Sequence, residues 1–440
     1  FYEMFYEGAV EVSRLLNLTL THRVDAPMCG IPYHASKIYI ARLLRFGKKI
    51  AICEQIGDPK AKGLTERKVV EIITPGNVTE EEYLETGVSN FLACICLVDS
   101  NGNGGNKGEK QVSYSYMDVS TGNFYATHWS YSQLKQSFLS ELSRSLPREL
   151  ICSQSLRDNE DFRQIIEQYP NISISTYPDW HFSSELSYKK LTAQFKTANL
   201  QSFGLQENSP EVIPAGFLLE YLEKTTNTNV PHISSIKVYH DCDYVVMDDS
   251  SRRNLEIIAN LRDGSCQFSL LECVNHAMTA MGGRMIKAWL LSPLTDAKKI
   301  EARQNHVELF YADQNLCKKV REGLSPVLDI ERLAGRIAME RAHAKDLQAL
   351  KSSLLSWCAV QSEISKKDFA EIPSEKSHEI IDLIENSIEE NPAGKKEDSL
   401  QEARLAIIKK FGKNAILKGT DLQESAMTIE RNRQIGGHRA

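Results

Sequence analysis

The chain has 440 residues, of which 42% are hydrophobic and 25% are charged, and its formal net charge is −6 at pH 7. This composition is typical of a globular protein and excludes a collagen-like or intrinsically disordered chain. One hydrophobic core rarely organises so many residues, so roughly two to four domains are expected. No apolar run reaches membrane-helix length and no signal peptide opens the chain, which predicts a cytoplasmic protein. The chain begins inside a motif, and we expect the natural amino terminus to lie upstream.

Helix and strand patterns alternate in the first part of the chain. Apolar residues at helical spacing predict helices over 5–18 and 36–46. Short runs rich in β-branched residues predict strands at 49–53 and 69–73. These elements predict a small α/β domain over 1–82.

A second α/β domain is predicted over 88–230. Strands are expected at 91–98, 112–119, 123–129 and 149–152, with a Ser-Thr-Gly hairpin turn between the second and third. A mixed sheet with covering helices is the architecture that this order favours.

The pattern becomes helical over 238–392. Apolar residues recur at three- and four-residue spacing and predict helices over 252–261, 270–291, 298–311 and 329–360.

The sequence carries no recognisable metal or nucleotide motif. The ten cysteines lack metal-ligand spacing, and Cys94 and Cys96 lie in a predicted buried strand, so we expect reduced thiols and no metal site. The nearest candidate for a phosphate-binding loop, Gly412-Lys413, lacks the upstream glycine, and Asn414 stands where a hydroxyl would hold Mg²⁺. We therefore expect no cofactor to bind within these residues.

Seven blocks of sequence carry a family resemblance when they are taken together in chain order. They are Phe1-Tyr2-Glu3, Gly30-Ile31-Pro32-Tyr33-His34, residues 51–59, Asp118-Val119-Ser120-Thr121-Gly122, residues 247–256, Met281-Gly282-Gly283-Arg284-Met285 and residues 289–294. In this order they resemble the amino-terminal half of the MutS family of DNA mismatch-repair proteins.

The resemblance implies a role for each predicted domain. Residues 1–82 are expected to be a mismatch-recognition domain whose first strand is missing, and residues 88–230 a ribonuclease-H-like connector domain. Residues 238–392 would be part of the helical core and lever domain, whereas 393–440 leave the family pattern. Whole MutS proteins are homodimeric, DNA-dependent ATPases that use ATP and Mg²⁺ and work with MutL-family partners. We expect the ATPase domain to lie outside this chain, whose own enzymatic activity is left uncertain and for which no catalytic residue is predicted.

Phe1 and Glu3 are the expected mismatch-binding residues, by the same resemblance. An aromatic ring can stack on a displaced base of any identity, and Glu3, two residues along an extended segment, lies on the same side. Its carboxylate can accept a hydrogen bond from that base. Unstacking costs least at a faulty pair, so a wedge settles there.

Basic residues cluster in the first domain, where residues 23–68 contain ten Lys or Arg against four acids. Phosphate affinity depends on such local charge. The candidates for DNA-backbone contacts are Lys48, Lys49, Arg67 and Lys68. The segment Met28–His34 beside them is predicted to be a stiff turn, because it contains glycine and proline.

Two alternative functions remain open from the sequence. Asp99 and Asp118 end predicted strands and invite a ribonuclease-H-like, Mg²⁺-dependent nuclease, but no further acidic partners converge on them. The second alternative is a connector and lever scaffold that binds repair partners without reading mismatches.

Overall fold

The computed structural model describes residues 1–56, 66–99, 110–240, 244–365 and 375–387. Two α/β regions are followed by a helical region, which is the multidomain α/β plus all-α architecture that the sequence predicts. Across the described ranges no helix is both long and apolar enough to cross a membrane.

The first region contains two small sheets and two helices. Its elements are β1 (Tyr2–Phe5), α1 (Tyr6–Leu16), β2 (Thr21–Arg23), β3 (Ala26–Ile31), α2 (Ser36–Arg45), β4 (Ile50–Ile56) and β5 (Glu66–Ile73). Strand β3 pairs antiparallel with both β1 and β2, and β4 pairs antiparallel with β5. Helix α1 packs on β3, where the Cys29 thiol contacts the carbonyl oxygen of Ala9 at 3.4 Å.

The predicted turn over Met28–His34 is wrong for its first half, because residues 28–31 belong to the central strand β3. Gly30 has an ordinary φ and pairs with Glu3. Pro27 is tolerated here because pairing with β1 begins only at Met28, so no partner on that side needs an N–H from Pro27. Proline therefore marks the start of this strand and not a loop.

The second region is built on one mixed sheet of six strands. These are β6 (Phe91–Asp99), β7 (Lys110–Asp118), β8 (Asn123–Ser130), β9 (Glu149–Ser153), β10 (Ser173–Tyr177) and β11 (Lys237–Val238). The order is β10-β9-β6-β7-β8-β11, in which β6, β7 and β8 run antiparallel and each remaining strand runs parallel to its neighbour. The four strands predicted from the sequence are confirmed.

Helices cover both faces of this sheet. They are α3 (Leu134–Ser145), α4 (Gln154–Arg157), α5 (Glu160–Ile166), α6 (Ser184–Phe195) and α7 (Val212–Thr226). Because side chains alternate along a strand, Leu92 and Cys94 of β6 pack in the cluster that includes α7, while Ala93 and Ile95 pack with Phe138 of α3. The continuous apolar run of β6 thus reflects burial on both faces.

The third region is helical. It contains α8 (Asp249–Asn254), α9 (Leu270–Val274), α10 (Ala280–Leu291), α11 (Ala297–Ala312), α12 (Gln314–Leu324), α13 (Ile330–Ala338), α14 (Ala344–Ile364) and α15 (Glu375–Ser387). The single helix predicted over 270–291 is wrong: Thr279 caps a new helix by accepting a hydrogen bond from Gly282 N–H at 3.1 Å. The helix predicted over 329–360 is also divided, because Glu340 adopts a φ of 63° and His343 begins a capping box. The helix predicted over 252–261 ends early, at Asn254.

A buried carboxylate joins the first region to the six-stranded sheet of the second region. Glu149 of β9 is fully buried, and Lys49 donates to its Oε1 at 2.7 Å. Tyr221 of α7 donates to the same oxygen at 2.6 Å, and the backbone N–H of Gly76 donates to Oε2 at 3.1 Å. Donors from both regions therefore satisfy one charge, which fixes how the two regions pack.

One buried arginine joins the helical region to the rest, and a second forms ion pairs within the helical region. Arg332 donates to the carbonyl oxygens of Glu85 at 3.0 Å and Val88 at 2.6 Å. Arg284 donates to Asp329 at 2.5 and 2.8 Å and to Glu331 at 2.7 Å. A backbone segment between the first two regions is thus held by a side chain of the third.

Replacing Gly76 with alanine is expected to destabilise the protein. The added Cβ would lie 2.7 Å from Leu92 Cδ1 and 2.9 Å from Glu149 Cβ, and overpacking of this kind costs about 1–3 kcal/mol. Gly8→Ala is the matched control, because nothing lies within 4 Å of its Cβ in helix α1. Thermal unfolding should show a lower Tm for Gly76→Ala only. Equal Tm values for the two variants would contradict this account of the interface.

The ion pair of Asp329 predicts a loss of stability in acid. Burial alone would raise the pKa of Asp329, but the hydrogen bonds and charge of Arg284 outweigh burial and hold it below the usual value. Its stabilisation is therefore present above the unfolded-state pKa and is lost as the pH falls through the folded-state pKa, below about pH 4. We expect Asp329→Asn to lower Tm at neutral pH and to flatten its decline in acid. Asp161→Asn, at an exposed position, should leave the acid profile unchanged; a wild-type profile for Asp329→Asn would refute the assignment.

Candidate nucleic-acid interface

Strand β1 places the two predicted mismatch-binding residues on one side of the first sheet. Glu3 pairs with Gly30, and Phe1 precedes the strand by one residue. Successive side chains of a strand alternate between faces, so Phe1 and Glu3 share a face that Tyr2 does not. The two-residue spacing of Phe1 and Glu3 therefore places both side chains on one side of the strand, as the sequence predicts.

The ring of Phe1 is largely in solvent, with 84% of the residue exposed. A Cβ at position 30 would lie 3.9 Å from Phe1 Cδ1, so the ring lies over the backbone of Gly30. Because the ring is already exposed, it can stack on a partner without breaking any packing in the hydrophobic core.

Glu3 is held by an exposed ion pair. Arg23, at the end of β2, donates to Glu3 Oε2 at 2.7 Å. Both side chains are substantially exposed, and such pairs contribute about 0–1 kcal/mol. The carboxylate is oriented by this contact and remains available to another donor at small cost.

Tyr2 fixes the strand from its other face. Its hydroxyl donates to Glu54 Oε1 at 2.5 Å, and its ring lies 5.5 Å from the ring of Tyr33. Burial, followed by the hydrogen bond to Glu54, raises the pKa of Tyr2 well above its usual value, so the phenol stays a donor. These contacts tie β1 to β4 and limit the movement of its neighbours Phe1 and Glu3.

The four candidate phosphate contacts divide into two pairs. Lys48 forms an ion pair with Glu11 at 2.5 Å, and Lys49 is engaged by the buried Glu149. Arg67 and Lys68 are exposed on β5, opposite residues of β4. Of the four candidates, Arg67 and Lys68 are therefore the pair that the ion pairs of the described residues leave exposed.

Some of the other charges in the basic stretch are also engaged in ion pairs. Lys37 pairs with Glu80 at 3.1 Å and Glu82 at 2.9 Å. His34 is exposed on a short helical turn before α2, and Lys60 and Lys62 lie outside the described residues. Arg42 and Arg45 on α2 are also exposed, so part of the local positive charge remains on the described surface.

Of the two acidic residues considered for a nuclease, Asp118 has a structural role. Asp118 is buried, and its carboxylate accepts hydrogen bonds from the backbone N–H groups of Asn90 at 3.0 Å and Ser120 at 3.0 Å. The hydroxyl of Ser120 donates to it at 2.6 Å. Asp99 ends β6 opposite Lys110. A carboxylate that closes a hairpin in this way is not presented to a metal pair.

Sequence reasoning missed Arg23 as the partner of Glu3 and Tyr2 as the residue that anchors strand β1. Arg23 lies across two strands from Glu3, and no local spacing connects them. Predicting residues 26–31 as a strand would have brought the two together, because β3 is the strand that joins β1 to β2.

Comparison with known proteins agrees with this geometry. The sequence matches three family descriptions: MutS domain I over residues 1–82, MutS domain II over 90–234 and MutS domain III over 250–431. The third match extends past residue 392, where the predicted family pattern ends, and the exact domain boundaries stay a prediction.

Bacterial relatives share much of the sequence. A DNA mismatch repair protein MutS of Treponema denticola is 48% identical over 397 residues, covering 89% of this chain and 45% of the relative. Those of Treponema pallidum and Symbiobacterium thermophilum are 40% and 37% identical, each over 89% of this chain and over 43% and 45% of the relative. The chain spans less than half the length of these relatives. Three consecutive domain matches, together with this identity along most of the chain, show that the chain belongs to the MutS family.

Proposed function

We propose that this chain binds mismatched or looped-out DNA and thereby initiates mismatch repair. The observation that carries the proposal is the exposed Phe1 ring, beside Glu3 on one face of a strand, in a region that matches MutS domain I. Phe1 is the wedge that stacks on a displaced base, and Glu3 hydrogen-bonds that base.

The energetics of DNA deformation provide the discrimination. Inserting a side chain between base steps costs a few kcal/mol in an intact duplex and less where a base is mispaired. Stacking on an aromatic ring returns about 1–3 kcal/mol for any base, because every base has a π-face. The stacking gain exceeds the unstacking cost only at a base step that is already weak. The wedge therefore senses the stability of the base step and not its sequence.

The pair of Glu3 with Arg23 supports the hydrogen-bonding role. A bare carboxylate near phosphates is repelled, and Arg23 offsets that charge at 2.7 Å. Since the pair is exposed, its contribution is small and a base can replace Arg23 as donor to Glu3. Arg23 is then free to contact a phosphate.

Arg67 and Lys68 are the proposed backbone contacts. Phosphate contacts hold a protein on the duplex without reading sequence, and these two exposed cations on β5 are suited to that role. Lys48 and Lys49 are not proposed as backbone contacts, because each forms an ion pair within the protein.

Further roles are proposed for the whole protein from its family. These are homodimerisation, signalling to a MutL-family partner, use of ATP and Mg²⁺ by residues outside this chain, and action on the nucleoid in the bacterial cytoplasm. The nuclease alternative is not favoured, because the Asp118 carboxylate accepts hydrogen bonds from Ser120 in its own hairpin and from the backbone N–H of Asn90. The scaffold alternative predicts no mismatch preference, and the following experiment distinguishes it from mismatch binding.

Phe1→Ala should abolish mismatch preference while leaving weak, salt-sensitive binding to duplex DNA. The variant removes the stacking surface but no phosphate contact. Fluorescence anisotropy at fixed salt, with a matched duplex and one carrying a single unpaired base, measures the ratio of the two affinities.

Trp180→Ala is the matched control for Phe1→Ala. Trp180 is an exposed aromatic residue of the connector, remote in sequence from the wedge, and its loss should leave the ratio unchanged. A ratio unchanged in Phe1→Ala would overturn the wedge assignment. A wild-type ratio near one would favour the scaffold alternative.

Arg67→Ala combined with Lys68→Ala should weaken matched and mismatched duplexes about equally. Loss of two phosphate contacts lowers the slope of log affinity against log salt by about one to two units. Lys189→Ala, which removes an exposed connector lysine, should change neither quantity. Weakening confined to mismatched DNA would contradict a backbone role.

A further inference from the structure

Three side chains of metal-ligating type meet at the β11 edge of the six-stranded sheet and include none of the residues proposed to contact DNA. They are His128 of β8, Glu211 immediately before α7, and His240 two residues after β11. One ligand atom from each lies within 4.8 Å of the other two. The Nδ1 of His128 lies 2.6 Å from Glu211 Oε1, and the two imidazole centroids are 6.0 Å apart.

The fold brings these residues together for two reasons. Strand β11 pairs parallel with β8 through Lys237 with Tyr125 and Val238 with Ala126, and the same register carried two residues further sets His240 beside His128. Glu211 reaches both from the amino-terminal end of the 15-residue helix α7, where the helix dipole favours a negative charge.

From this arrangement we propose a binding site for a divalent transition-metal ion, for which Zn²⁺ fits best. Two imidazoles and one carboxylate are a ligand set that Zn²⁺ uses in proteins, leaving a fourth position for water. The set is open on one side, since His240 is exposed while Glu211 is only 3% exposed. No thiolate takes part, which separates this site from the cysteines of the chain.

The distances suit such an ion after small movements. Ligands at about 2.0–2.1 Å from a tetrahedral ion are about 3.3 Å from one another. The His128–Glu211 contact at 2.6 Å must open slightly. The ligand atom of His240 is at most 4.8 Å from the other two, so any approach that it needs is short. Because His240 lies beyond the last paired residue of β11 and is exposed, rotation of its side chain supplies most of this change.

The bound ion acts as a clamp on the segment that leaves the connector. Strand β11 has only two paired residues, and a further hydrogen bond from Tyr239 N–H to Ala126 O measures 3.2 Å. Residues after His240 lead to the helical region, so a metal bond at His240 fixes where that connection begins. This role is independent of mismatch reading by the first region.

Metal titration of the complete chain tests the proposal. Chelator-stripped protein should bind one Zn²⁺ in calorimetry, and Co²⁺ substitution should give visible d–d bands without thiolate charge-transfer bands. His240→Ala and Glu211→Gln should each weaken binding at least about tenfold, as loss of metal-site support commonly does. Hydrogen exchange of the Tyr239 amide should slow when Zn²⁺ is added to wild type.

Controls distinguish this site from adventitious binding. His34→Ala removes an exposed histidine of the first region and should leave Zn²⁺ affinity unchanged. Glu211→Gln keeps the shape of the buried side chain, and the Tm of each variant without metal shows whether it folds. Absence of saturable binding, affinity equal to wild type in His240→Ala, or thiolate bands with Co²⁺ would each overturn the proposal. Unchanged exchange at Tyr239 on saturation would overturn the clamp.

Discussion

The packing of the first region on the sheet of the second depends on the buried charge of Glu149. An ionised carboxylate removed from water is costly unless hydrogen bonds and an opposite charge compensate it. Here Lys49 and Gly76 come from one region and Tyr221 from the other, so separating the regions would leave the charge without two of its donors. Only one relative placement of the two regions pairs all of these polar groups, so the interface specifies an orientation as well as contributing contact area.

Contacts continue from this charge to the wedge strand. Lys49 immediately precedes β4, and Glu54 on the same strand accepts the hydrogen bond from Tyr2. Tyr2 lies between the two residues proposed to touch the mismatch. A base pressed against Phe1 is therefore resisted by β4 and the connector beneath it, and not by an isolated strand end. The proposed wedge needs this rigidity, because a ring that moved aside under load would not unstack the base step and could not distinguish a weak step from a stable one.

Much of the architecture could be predicted from sequence because the relevant signals are local. The strands of the connector are runs of apolar residues between turn signals, and their burial on two faces preserved that pattern, as at Ala93 and Cys94. Strand β3 was missed because its glycine and proline favour a turn, and only pairing with β1 and β2 makes it a strand. Helix lengths were overestimated for a similar reason: apolar spacing continues through the break at Thr279, which only a capping hydrogen bond reveals.

The candidate site was less predictable than the fold, because its chemistry depends on partners far apart in sequence. Four lysines and arginines looked equivalent as phosphate contacts, yet tertiary ion pairs engage Lys48 and Lys49 and leave Arg67 and Lys68 exposed. Likewise His128, Glu211 and His240 have no motif spacing, and a parallel register between distant strands is what unites them. Sequence shows which side chains can carry charge or bind a metal. Which of them remain available for a ligand depends on the ion pairs that the tertiary structure forms, and the pair of Lys49 with the buried Glu149 is the strongest example.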